Sequence, residues 1–128
     1  MQYEYFYGAQ AEQFSFYRIP KALFTEPNFR ELSTDAKVLY GILLDRMSLS
    51  LKNQWLDAQN KVYIIFTVEE IMDALNCANQ KATRLMVELE KQAGLIERKR
   101  QGLGRPNLIY VKNFAATITG KSCEKGDS

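Results

Sequence analysis

From Leu32 onward, Ala36, Leu39, Tyr40, Leu43 and Met47 recur three or four residues apart, the spacing of one helix face. Ser33 or Thr34 is placed to cap the first turn. Val38, Ile42 and Leu44 widen the apolar surface, so this is expected to be a scaffold helix buried on more than one side, ending near Ser48 to Leu51. Before it, Ile19, Leu23 and Phe24 lie in a segment where Pro20 suits the start of a short helical turn and Pro27 its end. After it, Lys52, Asn53 and the cluster Asp57 to Lys61 mark a turn between Trp55 and the β-prone run Val62 to Phe66, which predicts a small hairpin or strand.

Thr67 followed by Glu70 has the form of a capping box, and Val68, Ile71, Met72 and Leu75 fit the short helix it would open. The interval Asn76 to Ala78 is a tight turn. A second helix is expected from Asn79 to about Gln92, with Ala82, Leu85, Met86 and Leu89 facing the core and Gly94 just past its end. Leu95 and Ile96 then lead into a charged strand, Gln101 to Asn107 forms a loop with two glycines and a proline, and Leu108 to Val111 is β-prone. The pattern predicts an α+β winged helix-turn-helix over 18–114, with a C-terminal β-hairpin as the wing. Residues 1–17 carry Tyr3, Tyr5, Phe6, Tyr7, Phe14, Phe16 and Tyr17 at irregular spacing, an aromatic N-terminal arm that packs against the main domain or against a second copy. Residues 115–128 are polar and small, a flexible tail or the start of a linker.

Charge sharpens this picture. The chain of 128 residues carries a net +2, but residues 79–112 hold eight basic and three acidic side chains, which leaves +5 there and −3 elsewhere. Such a field steers a polyanion to one side of the molecule. The outer side of the second helix-turn-helix helix carries Gln80, Lys81, Thr83 and Arg84, with Asn79 at its start and Val87 further along. These side-chain types hydrogen-bond base edges in a major groove wide enough to admit one helix. Arg98, Lys99 and Arg100 are expected on phosphates; Arg105, before Pro106 and Asn107 at the loop tip, is a candidate for either the minor groove or a phosphate. Arg18, Lys21 and Lys37 are lesser candidates for the backbone footprint. Where many helix-turn-helix proteins place a serine cap, this chain has Ala78, so either Asn76 is an earlier cap or the first turn is weaker than usual.

Three segments together carry a resemblance: FYRIPKALF (residues 16–24), TDAKVLYGILLDRMSLS (34–50) and FTVEEIMDALNCANQKATRLMVELEKQAGLIERKRQGLGRPNLIYVKNF (66–114). Over about residues 14 to 114 the chain resembles the N-terminal domain of RepA-type replication initiators of Gram-positive plasmids and related mobile elements. The resemblance implies a dimer on repeated origin DNA, with the helix from Asn79 in the major groove and the wing around Arg105 on the adjacent backbone or minor groove. It also implies a separate C-terminal domain that contacts replication proteins, so the expectation is a fragment of a longer initiator or a short relative of one. A transcriptional regulator on an operator would use the same groove contacts, and a winged helix serving as a protein-interaction module is the other alternative.

Catalysis is not expected. With no histidine, histidine triads and histidine zinc sites are excluded, and Cys77 and Cys123 alone cannot build a four-thiolate zinc site. The glycines of GLGRP lack the Lys-Ser/Thr of a nucleotide-binding loop. Paired acids such as Glu69 and Glu70, or Glu88 and Asp73, are expected to be helix-surface charges. Neither a cofactor nor a metal is expected. No apolar run is long enough to span a bilayer and the first residues do not form an export signal, so a cytoplasmic, reducing setting without a structural disulfide is expected.

Overall fold

A computed structural model describes residues 2–8 and 13–114. The tail expected over 115–128, with Cys123, lies outside the described residues. The elements run α1 (Ala22–Thr25), a 3₁₀ turn (Pro27–Phe29), α2 (Thr34–Lys52), α3 (Val68–Leu75), α4 (Asn79–Val87), a π-type turn (Glu88–Gln92), β1 (Ile96–Lys99) and β2 (Leu108–Val111). This is a winged helix-turn-helix. Pro27 does more than end the first turn, since it also opens the 3₁₀ turn that carries Phe29 into the core.

The scaffold helix forms where its apolar spacing places it. Ser33 Oγ accepts from the Ala36 amide at 3.2 Å, and Ala36, Leu39, Tyr40, Ile42 and Leu43 are buried. Gly41, inside this helix, has a packing reason: a Cβ there would lie 3.0 Å from the Arg18 carbonyl oxygen and 2.8 Å from Ile19 Cγ1. Glycine costs a helix interior about 1 kcal/mol relative to alanine. In return, the incoming chain at Arg18 and Ile19 lies directly on α2.

Between α2 and α3 the chain makes a small hairpin, with a bridge between Leu56 and Val62 and Trp55 stacked on Tyr63 at 6.2 Å. Ile64 then exchanges two hydrogen bonds of 2.9 Å with Ile109, adding a single rung to the outer side of β2. The wing itself is the antiparallel pair β1 and β2, in register from Ile96 opposite Val111 to Lys99 opposite Leu108. Tyr110 Oη donates to Asp57 Oδ2 at 2.9 Å and joins the small hairpin to the wing.

One core connects these parts. Leu23, Leu32, Leu39 and Leu43 from the N-terminal half meet Ile71, Leu85, Leu89, Ile96 and Ile109. Tyr40 donates to the Lys112 carbonyl at 2.8 Å, and Phe114 closes over Phe29 and Tyr40 with ring centroids 5.1 and 5.8 Å away. Burial pushes the Tyr40 hydroxyl up to about 12, so it stays a neutral donor far into the alkaline range. The arm behaves differently from a segment packed on the core. Tyr3, Tyr5, Phe6, Tyr7, Phe14, Phe16 and Tyr17 are all at least half exposed, and Phe14 meets Phe6 and Phe16 edge to face.

Candidate nucleic-acid interface

The capping box at Thr67 sets the angle at which the helix-turn-helix begins. Thr67 Oγ1 accepts from the Glu70 amide at 3.2 Å while Glu70 Oε1 accepts from the Thr67 amide at 2.9 Å. The other carboxylate oxygen of Glu70 accepts from Arg46 of α2 at 2.5 Å, and that guanidinium lies 4.9 Å from the centroid of the Phe66 ring. Glu70 is therefore a joint between α2 and α3 as well as a cap. Asn76 ends α3 in the left-handed conformation (φ 52°, ψ 53°), so it does not cap the following helix as considered above. An asparagine tolerates that conformation because its short amide side chain hydrogen-bonds locally. Ala78 precedes α4 with no side-chain cap, which leaves the first-turn amides of Asn79, Gln80 and Lys81 without a side-chain acceptor.

On α4, burial divides the expected reading residues. Ala82, Leu85 and Met86 face inward, followed by Leu89 in the π-type turn, while Gln80, Thr83, Arg84 and Val87 are exposed at the i, i+3, i+4, i+7 spacing of the opposite face. Asn79 is exposed at the helix start. Lys81 stands apart: it is half-buried on the flank and its ammonium lies 2.7 Å from Asp35 at the start of α2. The side chains of Gln80, Thr83 and Arg84 make no hydrogen bond or ion pair with other described residues.

The wing divides similarly. Lys99, Arg100, Arg105 and Asn107 are exposed. Arg98 is instead locked to Glu90, its Nε and Nη2 lying 2.8 and 2.7 Å from Oε1 and its backbone amide donating to Oε2 at 3.1 Å. Arg98 thus fixes the base of the wing to the turn that follows α4, and its guanidinium is already engaged. Arg105, Pro106 and Asn107 line a depression of about 250 Å³ together with the cap residue Thr67, Val68 at the start of α3 and Met86 of α4. The returning arm of the wing therefore lies beside the helix-turn-helix.

Two further expectations are corrected. Lys37 does not extend the outer footprint, because it is buried with its ammonium 4.5 Å from the Phe24 ring. Glu88 is not a helix-surface charge. It is buried in the π-type turn and accepts from both the amide and the hydroxyl of Ser33, the residue that caps α2. No local sequence signal announces this contact, since its partners are 55 residues apart.

Burial by itself raises the Glu90 carboxyl, but the Arg98 amide and guanidinium, with Lys91, outweigh it and hold the group below the ordinary carboxylate range. A lowered folded value means that the stabilisation is complete above the unfolded value and is lost as pH falls through the folded one. Glu90→Gln is expected to lower stability at neutral pH by about 1 to 3 kcal/mol and to flatten the acid limb below about pH 4. Urea midpoints measured from pH 7 to 2.5 check this, and a parallel displacement of the whole curve would show that Glu90 contributes no proton linkage.

Residues 15–125 match the family model described as "Replication initiator protein A (RepA) N-terminus". The chain belongs to this family. Among solved structures, the chain is similar to one described as "N-Terminal domain of DNA binding protein", 36% identical with a TM-score of 0.72 over 99% of this chain and 98% of that one. A second, "Structure of Rep-DNA complex", is 36% identical with a TM-score of 0.72 over 98% of each chain. A third, "Structure of MDR initiator", is 36% identical with a TM-score of 0.67 over 94% of this chain and 98% of that one. A "41 kDa protein" of Lactobacillus helveticus is 32% identical over 103 residues, which are 80% of this chain and 28% of that protein. The chain thus spans under a third of that relative's length. No helix among the described residues is long and apolar enough to cross a membrane.

Proposed function

We propose that this RepA N-terminal domain binds double-stranded DNA sequence-specifically, at repeated sites in a replication origin. The observation that carries the proposal is the two-faced helix α4: its inner side is fixed by Ala82, Leu85, Met86 and Leu89, and its outer side offers Gln80, Thr83 and Arg84 without internal partners. A helix so anchored holds its polar face still, which lowers the entropy lost when base contacts form. Asn79 and the uncapped first-turn amides suit a phosphate at the helix start. Lys99, Arg100, Arg105 and Asn107 supply the wing's backbone and groove contacts, while Lys81 and Arg98 chiefly brace the interface through Asp35 and Glu90. The 36% identity to the Rep of a Rep–DNA complex supports the same reading, and family membership favours an origin over an operator.

The exposed aromatic arm supports a homodimer, which would set two reading helices on successive turns of one duplex, about 34 Å apart. A C-terminal domain outside these residues would contact replication proteins, and the setting is the bacterial cytoplasm. Selection of bound duplexes from random DNA tests the proposal directly. The expected product is a short half-site repeated at multiples of about 10 base pairs. If Lys99, Arg100 and Arg105 each neutralise one phosphate, the affinity of one protomer falls with log salt at a slope of about −2.7. Recovery of unrelated sequences with only salt-dependent affinity would overturn the sequence-specific assignment. Light scattering of the chain without residues 1–14 tests the arm, and a dimer that persists would assign the contact elsewhere.

A further inference from the structure

At the apex of the wing sits a large apolar side chain that the fold does not use. Leu103 is fully exposed, at 104% of its reference area, and is not among the residues of the hydrophobic cluster. It occupies the second position of a turn in which the Arg105 amide donates to the Gly102 carbonyl at 3.3 Å. Gly104, at the third position, has φ +77°, the positive value that a type II turn requires there. Gln101 Nε2 donates to the Pro106 carbonyl at 2.8 Å and closes the loop beneath the apex. The leucine is therefore held outward by a braced turn.

Building on the DNA-binding assignment above, we propose that Leu103 is an apolar wedge that enters the minor groove and lodges against a base step, with Arg100 and Arg105 on the flanking phosphates. Reach permits it. The last paired residues of the wing are Lys99 and Leu108, so each side of the loop has four residues and spans at most about 13 Å. The minor groove is about 7.5 Å deep. Charge selects the occupant, because Lys99, Arg100 and Arg105, exposed on the strand end and loop that carry the leucine, favour an anionic partner over a cationic one. Chemistry selects the groove: apolar side chains inserted between base steps unstack them and bend the duplex toward the major groove. The wing would then distinguish sites by how easily a step deforms, at a position with no base-edge hydrogen bond.

The test uses the full chain and the duplex recovered by selection. Labels at the two DNA ends report bending by energy transfer, and 2-aminopurine placed in turn at each adenine reports unstacking. Leu103→Ala is expected to weaken binding about tenfold, to reduce the bend and to abolish the 2-aminopurine signal, with the salt slope unchanged. Leu103→Met is expected to restore all three. Because Leu103 is fully exposed, a thermal melt should show both variants folded. A Leu103→Ala protein with unchanged affinity, bend and 2-aminopurine emission overturns the wedge while leaving DNA binding intact, and would point to a protein contact at the wing tip. Failure of the wild-type chain to bind any duplex would overturn both assignments, so the two failures are distinguishable.

Discussion

Replacing Arg84 by alanine is expected to weaken binding to the selected duplex by roughly 5- to 150-fold and to relax preference at one base position. The range corresponds to about 1 to 3 kcal/mol for a bidentate base contact. The expectation follows from placement: Arg84 is exposed on the outer side of α4, one residue before the buried Leu85, and has no internal acceptor to give up. Two companion variants show whether base reading or simple charge is being lost. Lys99→Ala removes a wing cation and is expected to weaken every duplex alike while reducing the salt slope by about 1. Lys81→Ala is expected to change affinity little, because its ammonium is already engaged by Asp35 2.7 Å away. Competition binding against single-base variants of the site, repeated at several salt concentrations, checks all three. Equal losses on every sequence with a shallower slope would reassign Arg84 to a phosphate, and no loss at all would remove the outer face of α4 from the interface.

What could be read along the chain was mostly local. Ser33 and Thr67 announce their helices because a cap acts within three residues, and the alternation between buried and exposed positions on α4 is a direct consequence of its period. The wing was legible for the same reason, with two β-prone runs separated by glycines and a proline. What stayed hidden was tertiary. Arg98 and Lys81 look like any other basic residues of the stretch, and only the folded chain brings Glu90 and Asp35 to them. Glu88 looks like a solvated acid, yet the π-type turn buries it against Ser33. Asn76 reads along the chain as an earlier cap for the next helix, whereas its left-handed backbone makes it the end of the previous one. Net charge over a segment therefore overstated the number of cations free to meet DNA. Of the eight basic residues at 79–112, Lys81 and Arg98 are ion-paired, and the exposed cations left on the outer side of α4 and on the wing are Arg84, Lys99, Arg100 and Arg105.

Leu85→Ala is expected to have the largest effect on stability, about 2 to 5 kcal/mol. Leu85 is completely buried and lies on α4 between the buried Ala82 and Leu89, so the cavity left by its truncation would open directly behind the reading face. Partial collapse is restricted, since the following turn is tied to α2 through Glu88 and Ser33 and to β1 through Glu90 and Arg98. For a domain of this size each kcal/mol corresponds to about 4 to 8 °C, which predicts a melting temperature lower by at least about 8 °C. Binding separates two ways in which that loss could act. If α4 keeps its place in the folded fraction, affinity measured well below the new midpoint should fall only by the unfolded share, and base preference should be unchanged. If the helix rotates into the cavity, Gln80, Thr83 and Arg84 leave their common alignment and preference is lost while the charge on the surface, and hence the salt slope, stays the same. A thermal melt combined with competition binding at low temperature distinguishes these outcomes, and a midpoint within about 2 °C of wild type would show that Leu85 is not the anchor of the reading helix.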